Sequence, residues 1–311
     1  MSKRGKRKSR VPRLDLATLK HSGEGQALGF AWAIPGILLL LVAIIVFFTA
    51  PKDVLGKSLG VILGWPIIAW ILVKIVAGQH QGRINSRYRQ SKMAGTSFPE
   101  LREVLSELAR RLEIRTLPDT YVIDSSSPSA TIRGMGKPYM MISRSMIDMF
   151  SPADLRAILA VLLGHVKAGT VKWRTFIVTA LEMNPILKLL ALPMVIVALL
   201  GRSYLEDSQL SADRMALFAL QGEVGTLLAS LVRTYGTAAG IDSITIESVV
   251  EFLGRRGLQA TETDVNNAFV LSQMQRNVPG LAERWKNITD TPHDPKFVAQ
   301  MDIARAREFT A

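Results

Sequence analysis

Few residues in this 311-residue chain could carry chemistry. It has no cysteine, which removes thiolate metal sites, disulfides and cysteine nucleophiles, and only four histidines, His21, His80, His165 and His293. One of them closes a suggestive frame: in "SPADLRAILAVLLGHVKAG", residues 151–169, His165 follows Val161, Leu162, Leu163 and Gly164. A helix that hydrolyses peptides with zinc carries two histidines at i and i+4, a glutamate after the first as general base, and takes a third ligand from a later helix. Here Val161 stands at the first ligand position and Leu162 at the base. General acid–base work is worth about 100- to 10,000-fold, and nothing in "AVLLGH" supplies it. A lone histidine in an apolar helix also reads as a satisfied core residue, because coordination needs several convergent ligands.

The element that carries His165 is a helix over 152–169 with a capping box, Ser151 as N-cap and Asp154 at N3. Before it, "PELREVLSELARRLEI" has apolar positions at helical spacing, and "TYVIDSS" and "KPYMMIS" are β-rich runs bounded by turn residues. After it, Thr175 to Leu200 is apolar but interrupted by Glu182, Asn184, Pro185 and Lys188, and neither half is long enough to span a bilayer. Basic residues flank it (Lys167, Lys172, Arg174; Arg202), so it either dips into the membrane or lies on it. A buried hairpin of the soluble domain is the alternative. Residues 203–311 read as amphipathic helices joined by Gly-containing connections such as "GTAAG" and "RRG".

Upstream, Ala27 to Ala50 holds no charge and is long enough to cross the about 30 Å hydrocarbon core. Val54 to Ala77 is a second such run, with Lys57 and Lys74 near its ends where they can snorkel. A mean hydropathy of +0.22 fits a membrane protein. The net charge is +12, and more than half of it sits in residues 1–20, where eight Lys/Arg face Asp15 alone. That tail and the basic residues after Ala77 place both ends of the hairpin in the cytoplasm by the positive-inside rule. Anionic lipid headgroups are the natural partner of "KRGKRKSR", at about 1 kcal/mol per basic residue. Without interleaved aromatics to stack on bases, nucleic-acid binding is the weaker reading.

Taken in order, "SATIRGMGKPYMMISRSMIDMFSPADLRAILAVLLGHVKAG", "QLSADRMALFAL" and "TPHDPKFVAQMDIA" resemble the HtpX-like membrane metallopeptidases, family 48 of the metallopeptidases, over roughly residues 95–310. The first resembles that family's Asn-Ala-Phe-Ala segment, following strand and active-site helix, the second its Glu-x-x-Ala-Asp helix, and the third its Thr-His-Pro segment. The resemblance puts Gln209 at the third zinc ligand, a glutamate in the family, and leaves Asp213 at the family's aspartate, where it would hold His165 or a helix end in place. Glu206 and Asp213 share a helix face with Gln209, so a carboxylate could approach His165. No bound metal is expected, since only His165 of three ligands remains; zinc returns if the ligands are atypical.

The family also implies an edge for an extended peptide, which makes Ser129, Ala130, Tyr139, Met140, Met141 and His293 candidates for peptide binding by strand addition. Met140 and Met141 read equally as core, His293 as the residue before a helix beginning at Pro295 with Asp294 as its N-cap, and Asp213 as surface charge.

The expectation is a mainly α fold with a small β-sheet, a membrane-anchored zincin-like peptidase domain. Its parts would be a basic cytoplasmic tail (1–26), a two-helix transmembrane hairpin (27–77), a linker (78–97) and a degenerate peptidase domain (98–311) with a membrane-associated apolar insertion at 175–201. The implied function is a pseudopeptidase of the cytoplasmic (inner) membrane that binds membrane or cytosolic proteins or peptides without hydrolysis. The alternatives are an active zinc endopeptidase of membrane protein quality control, and a tethered scaffold acting through its tail.

Overall fold

A computed structural model of the chain describes residues 14–89, 98–238 and 280–308. The tail before residue 14, residues 90–97 of the expected linker and the "RRG" connection lie outside the described residues. The fold is mainly helical with one small sheet.

Helices α1 (Gly23–Thr49) and α2 (Lys52–Arg87) form a hairpin turned at Ala50 and Pro51. Both are long and apolar enough to cross a membrane, and their apolar side chains are largely exposed. Two boundaries differ from expectation. Residues 14–22 are not free tail: a single 3-10 turn, Leu16–Leu19, buries both leucines in the core, and the Asp15 N–H donates to Gln300 Oε1 at 2.8 Å. At the other end α2 does not stop at Ala77. Its last ten residues lie over the sheet, where His80 Nδ1 is 3.0 Å from the Tyr139 hydroxyl and the Tyr121 hydroxyl donates to Asn85 Oδ1 at 3.1 Å. With partners on that face, residues 78–87 stay helical.

After α3 (Pro99–Arg111) come β1 (Asp119–Ile123), β2 (Ala130–Arg133) and β3 (Tyr139–Ser143). The sheet order is β1-β3-β2; β1 runs parallel to β3 with Tyr121 opposite Met141, and β2 antiparallel to it with Thr131 opposite Met141. Side chains alternate across the pleat. Val122, Ile132, Met140 and Ile142 enter the main core, while Tyr121, Tyr139 and Met141 pack under Ile84 and Tyr88 on the α2 side. Strand β3, expected to offer an edge, is the central strand; both of its edges are paired, so it cannot accept a peptide strand. The edge on that side is β2.

Helices α4 (Arg144–Met149) and α5 (Pro152–Ala168) follow. The apolar insertion is three short helices, α6 (Val171–Glu182), α7 (Pro185–Leu190) and α8 (Leu192–Leu200). Apart from Val171, which joins the main core, its buried apolar residues form a separate cluster. Phe176, Ile177 and Ala198 pack with Ala31, Ala69 and Val73 of the hairpin, and Trp32, Trp70, Trp173 and Phe176 form an aromatic cluster with centroids 4.9–6.1 Å apart. Helices α9 (Arg202–Ala219), α10 (Val224–Ala238), α11 (Leu281–Asp290) and α12 (Pro295–Glu308) complete the described chain. Helix α10 is described as far as Ala238, within the expected connection "GTAAG", whose last two residues lie outside the described residues.

Candidate functional site

The site is made by α5 and α9. Helix α5 starts at the expected cap: Ser151 Oγ accepts the Asp154 N–H at 3.2 Å, and Asp154 also pairs with Arg233. It ends at Gly169, whose φ of 75° is open to glycine, and the chain turns so that the Thr170 N–H bonds back to the His165 carbonyl at 3.1 Å. That turn delivers the Thr170 hydroxyl to His165. Between the ends, Gly164 lets α9 approach closely, since a Cβ there would lie 2.5 Å from the Ala212 carbonyl oxygen.

His165 is 3% exposed, with Nδ1 at 2.9 Å from Thr170 Oγ1 and Nε2 at 3.1 Å from Gln209 Oε1. The amide nitrogen of Gln209 donates to Asp213 Oδ1 at 3.3 Å. Because a carboxylate only accepts, Gln209 turns its NH2 toward Asp213 and its oxygen toward His165. This assigns the imidazole proton to Nε2 and leaves Nδ1 to accept from Thr170. Asp213, fully buried, is held by Arg284, whose Nε and Nη2 lie 2.8 and 2.7 Å from its two oxygens. The result is one chain of hydrogen bonds, Thr170–His165–Gln209–Asp213–Arg284.

Burial, then the Arg174 and Arg284 guanidiniums, push the His165 imidazole well below its ordinary value of 6.5, against the opposing hydrogen bond to Gln209. It is a neutral side chain at physiological pH. Arg174 itself donates from Nη1 to the Leu205 carbonyl at 2.7 Å and to Ser208 Oγ at 2.8 Å, and burial lowers its pKa to about 10, so it stays charged.

Of the residues singled out in the sequence, the structure brings His165, Gln209 and Asp213 together. Val161 lies one turn before His165, partly buried against the core, and Leu162 is inside the core. Two expectations fail here. Glu206 is exposed while the imidazole nitrogens bond Thr170 and Gln209, and Asp213 reaches the imidazole only through Gln209. Nor is Asp213 a surface charge. Ser129 precedes edge strand β2 and Ala130 opens it; the Ser129 N–H and carbonyl are both taken by Ser143, at 2.8 Å each. Tyr139, Met140 and Met141 are buried in the central strand. His293 is exposed in the 3-10 turn Thr291–His293 ahead of α12, whose first turn Asp294 Oδ1 caps through the Lys296 N–H at 2.9 Å.

Sequence reasoning missed Thr170, Arg174 and Arg284. The glycine at 169 signals the turn that brings in Thr170; nothing local points to Arg284, 71 residues from its partner. It also missed the N-terminal latch on α9, where His21 Nδ1 lies 3.0 Å from Asp207 Oδ1 and Ser211 Oγ donates to Glu24 Oε2 at 2.6 Å.

As a zinc site the donor set does not fit. Both nitrogens of His165 are engaged, the facing residue is a neutral amide, and positions 161 and 162 have no donor atoms. Among the described residues no cluster of three or more His, Asp or Glu is placed to hold a metal ion.

The framework is thus a three-stranded sheet followed by two closely apposed helices, one carrying His165 in its last turn and one the residues that face it. The profile of peptidase family M48 matches residues 96–289, and the chain belongs to that family. It is 39% identical over 79 residues to the plastoglobule-localized metallopeptidase 48 of Arabidopsis thaliana, a match that covers 25% of this chain and 23% of that protein, so under a quarter of the relative is spanned. No solved structure matches the chain significantly.

Proposed function

We propose that this M48 protein is a membrane-anchored pseudopeptidase of the cytoplasmic membrane, a regulatory or scaffold protein that binds other proteins or peptides without hydrolysing them. One observation carries the reading: the only histidine of the site spends both ring nitrogens inside the fold, on Thr170 and Gln209, with no carboxylate beside it. A metal would have to displace Gln209 from a closed, neutral network, and no general base stands at Leu162. Partner binding is assigned to the β2 side of the sheet. Helix α6 flanks that strand, with the Gly134 N–H donating to Thr175 Oγ1 at 2.9 Å and Arg133 paired with Glu182 at 3.0 Å. The basic tail adds attraction to anionic headgroups.

Metal analysis of the purified protein tests this. The parent should carry zinc only at background, whereas Val161→His with Gln209→Glu places three donors around the position that Nε2 faces and should take up about one zinc per chain. Stoichiometric zinc in the parent, lost on His165→Ala, would restore the reading of an active endopeptidase with atypical ligands. A folded double variant that takes up none would show that Val161 and Gln209 do not stand at ligand positions.

A further inference from the structure

We infer that α7 and α8 form a re-entrant hairpin that enters the bilayer from the cytoplasmic side and stays within one leaflet, its exposed face covered by acyl chains. The inference rests on the membrane reading of the α1–α2 hairpin and goes beyond it. Between Glu182 and Arg202 the chain has one charge, Lys188. Ile186, Leu189, Leu190, Leu192, Ile196 and Leu199 are exposed, Ile186 by 75%. The two ends of this stretch are tied to water-facing groups, Glu182 to Arg133 and Gly201 to the exposed Arg202.

Depth follows from the helix rise. The cluster of Trp32, Trp70 and Trp173 marks an interface, where tryptophans prefer to sit. From Trp32 to Thr49 and from Lys52 to Trp70 the two hairpin helices each run about 26–27 Å, close to the about 30 Å hydrocarbon core. The α7–α8 turn is fixed against this scale because Trp65 Nε1 donates to the Leu190 carbonyl at 2.8 Å. Trp65 lies five residues beyond Trp70, about 7–8 Å into the core and about 20 Å short of the far end, so the turn stops before the midplane. Helix α8, nine residues long, is too short to cross.

The backbone supplies an independent argument. Irregular chain in hydrocarbon must find partners for its polar groups. Asn184 Oδ1 accepts the Leu187 N–H at 2.9 Å at the start of α7, and the carbonyl of Leu190, the last residue of α7, accepts from Trp65 of the neighbouring helix. Lys188 has a long enough stem to return its ammonium to the headgroups.

The chain has no native cysteine, so single-cysteine variants Ile186→Cys, Leu190→Cys and Leu199→Cys can be spin-labelled and reconstituted in vesicles, with Leu41→Cys on the exposed face of α1 as reference. All three labels should relax strongly with oxygen and weakly with a neutral water-soluble nickel chelate. Their depths should not exceed that of Leu41, and none of the three cysteines should react with an impermeant maleimide on the far side. Access to the nickel chelate at 186 and 190 would mean that water covers the face, and shielding from both reagents would mean that protein does; either overturns the inference while the Leu41 label still reports lipid. Reaction from the far side would mean that the segment crosses. Nickel access at Leu41 itself would remove the membrane reading together with this one.

Discussion

His165 is a point of junction. Its two hydrogen bonds join α5 to α9 and to the turn at Thr170, and its proton inventory makes that junction acid-sensitive. The unfolded chain's imidazole titrates near 6.5 and the folded one well below, so between those values the unfolded state binds more protons. Stability from this group is therefore complete above about pH 6.5 and falls as pH drops toward the folded value. His165→Gln removes the titration, and thermal melts in detergent between about pH 7.5 and 5 should show a smaller acid loss for the variant than for the parent. Equal losses would mean that His165 is not held neutral. The frame at 161–165 was legible in the sequence because it is local. Which atoms His165 would meet was not, because Gln209 and Arg284 reach the junction through packing of distant helices.

Helix α9 is where long-range contacts converge. It receives α5 through Gly164, α11 through Arg284 and Asn287, and the N-terminal segment through His21 and Glu24. The closest of these contacts is steric. Gly164→Ala would put a methyl group 2.5 Å from the Ala212 carbonyl oxygen, a backbone atom that cannot rotate away. Separating the helices would strain the hydrogen bonds on either side, and overpacking of this kind costs about 1–3 kcal/mol or more. The expected outcome is a lower melting midpoint or loss of folded protein, while Gly136→Ala, where a Cβ meets nothing within 4 Å, should change little. Sequence periodicity found most of these helices and the capped start of α5. It misplaced ends wherever tertiary contacts decide them: at Ala77, where the sheet keeps α2 helical, and at residues 14–22, which were read as tail because charge dominates their neighbourhood although Leu16 and Leu19 enter the core.

At the scale of the whole molecule, the proposed topology puts the hairpin's two ends and both ends of the α7–α8 segment on one side of the membrane. Reporter fusions after residues 90 and 205 should both report cytoplasm, and an external signal at 205 would break the arrangement, since α5 and α9 pack against each other across that segment. The order of elements and the family-like framework could be read from the chain. The strand order could not, because β3 follows β2 in sequence while lying between β2 and β1 in space.

The continuity of α2 sets a working height. The same helix that is long and apolar enough to cross a membrane covers the sheet through His80, Ile84, Asn85 and Tyr88, three to eleven residues past the end of its apolar run, or about 5–17 Å beyond that level. With no free joint in between, the sheet cannot swing outward. Under the proposed function, a partner on the β2 side would have to come to that height, which would favour stretches of other proteins that emerge directly from the bilayer over domains carried on long stalks.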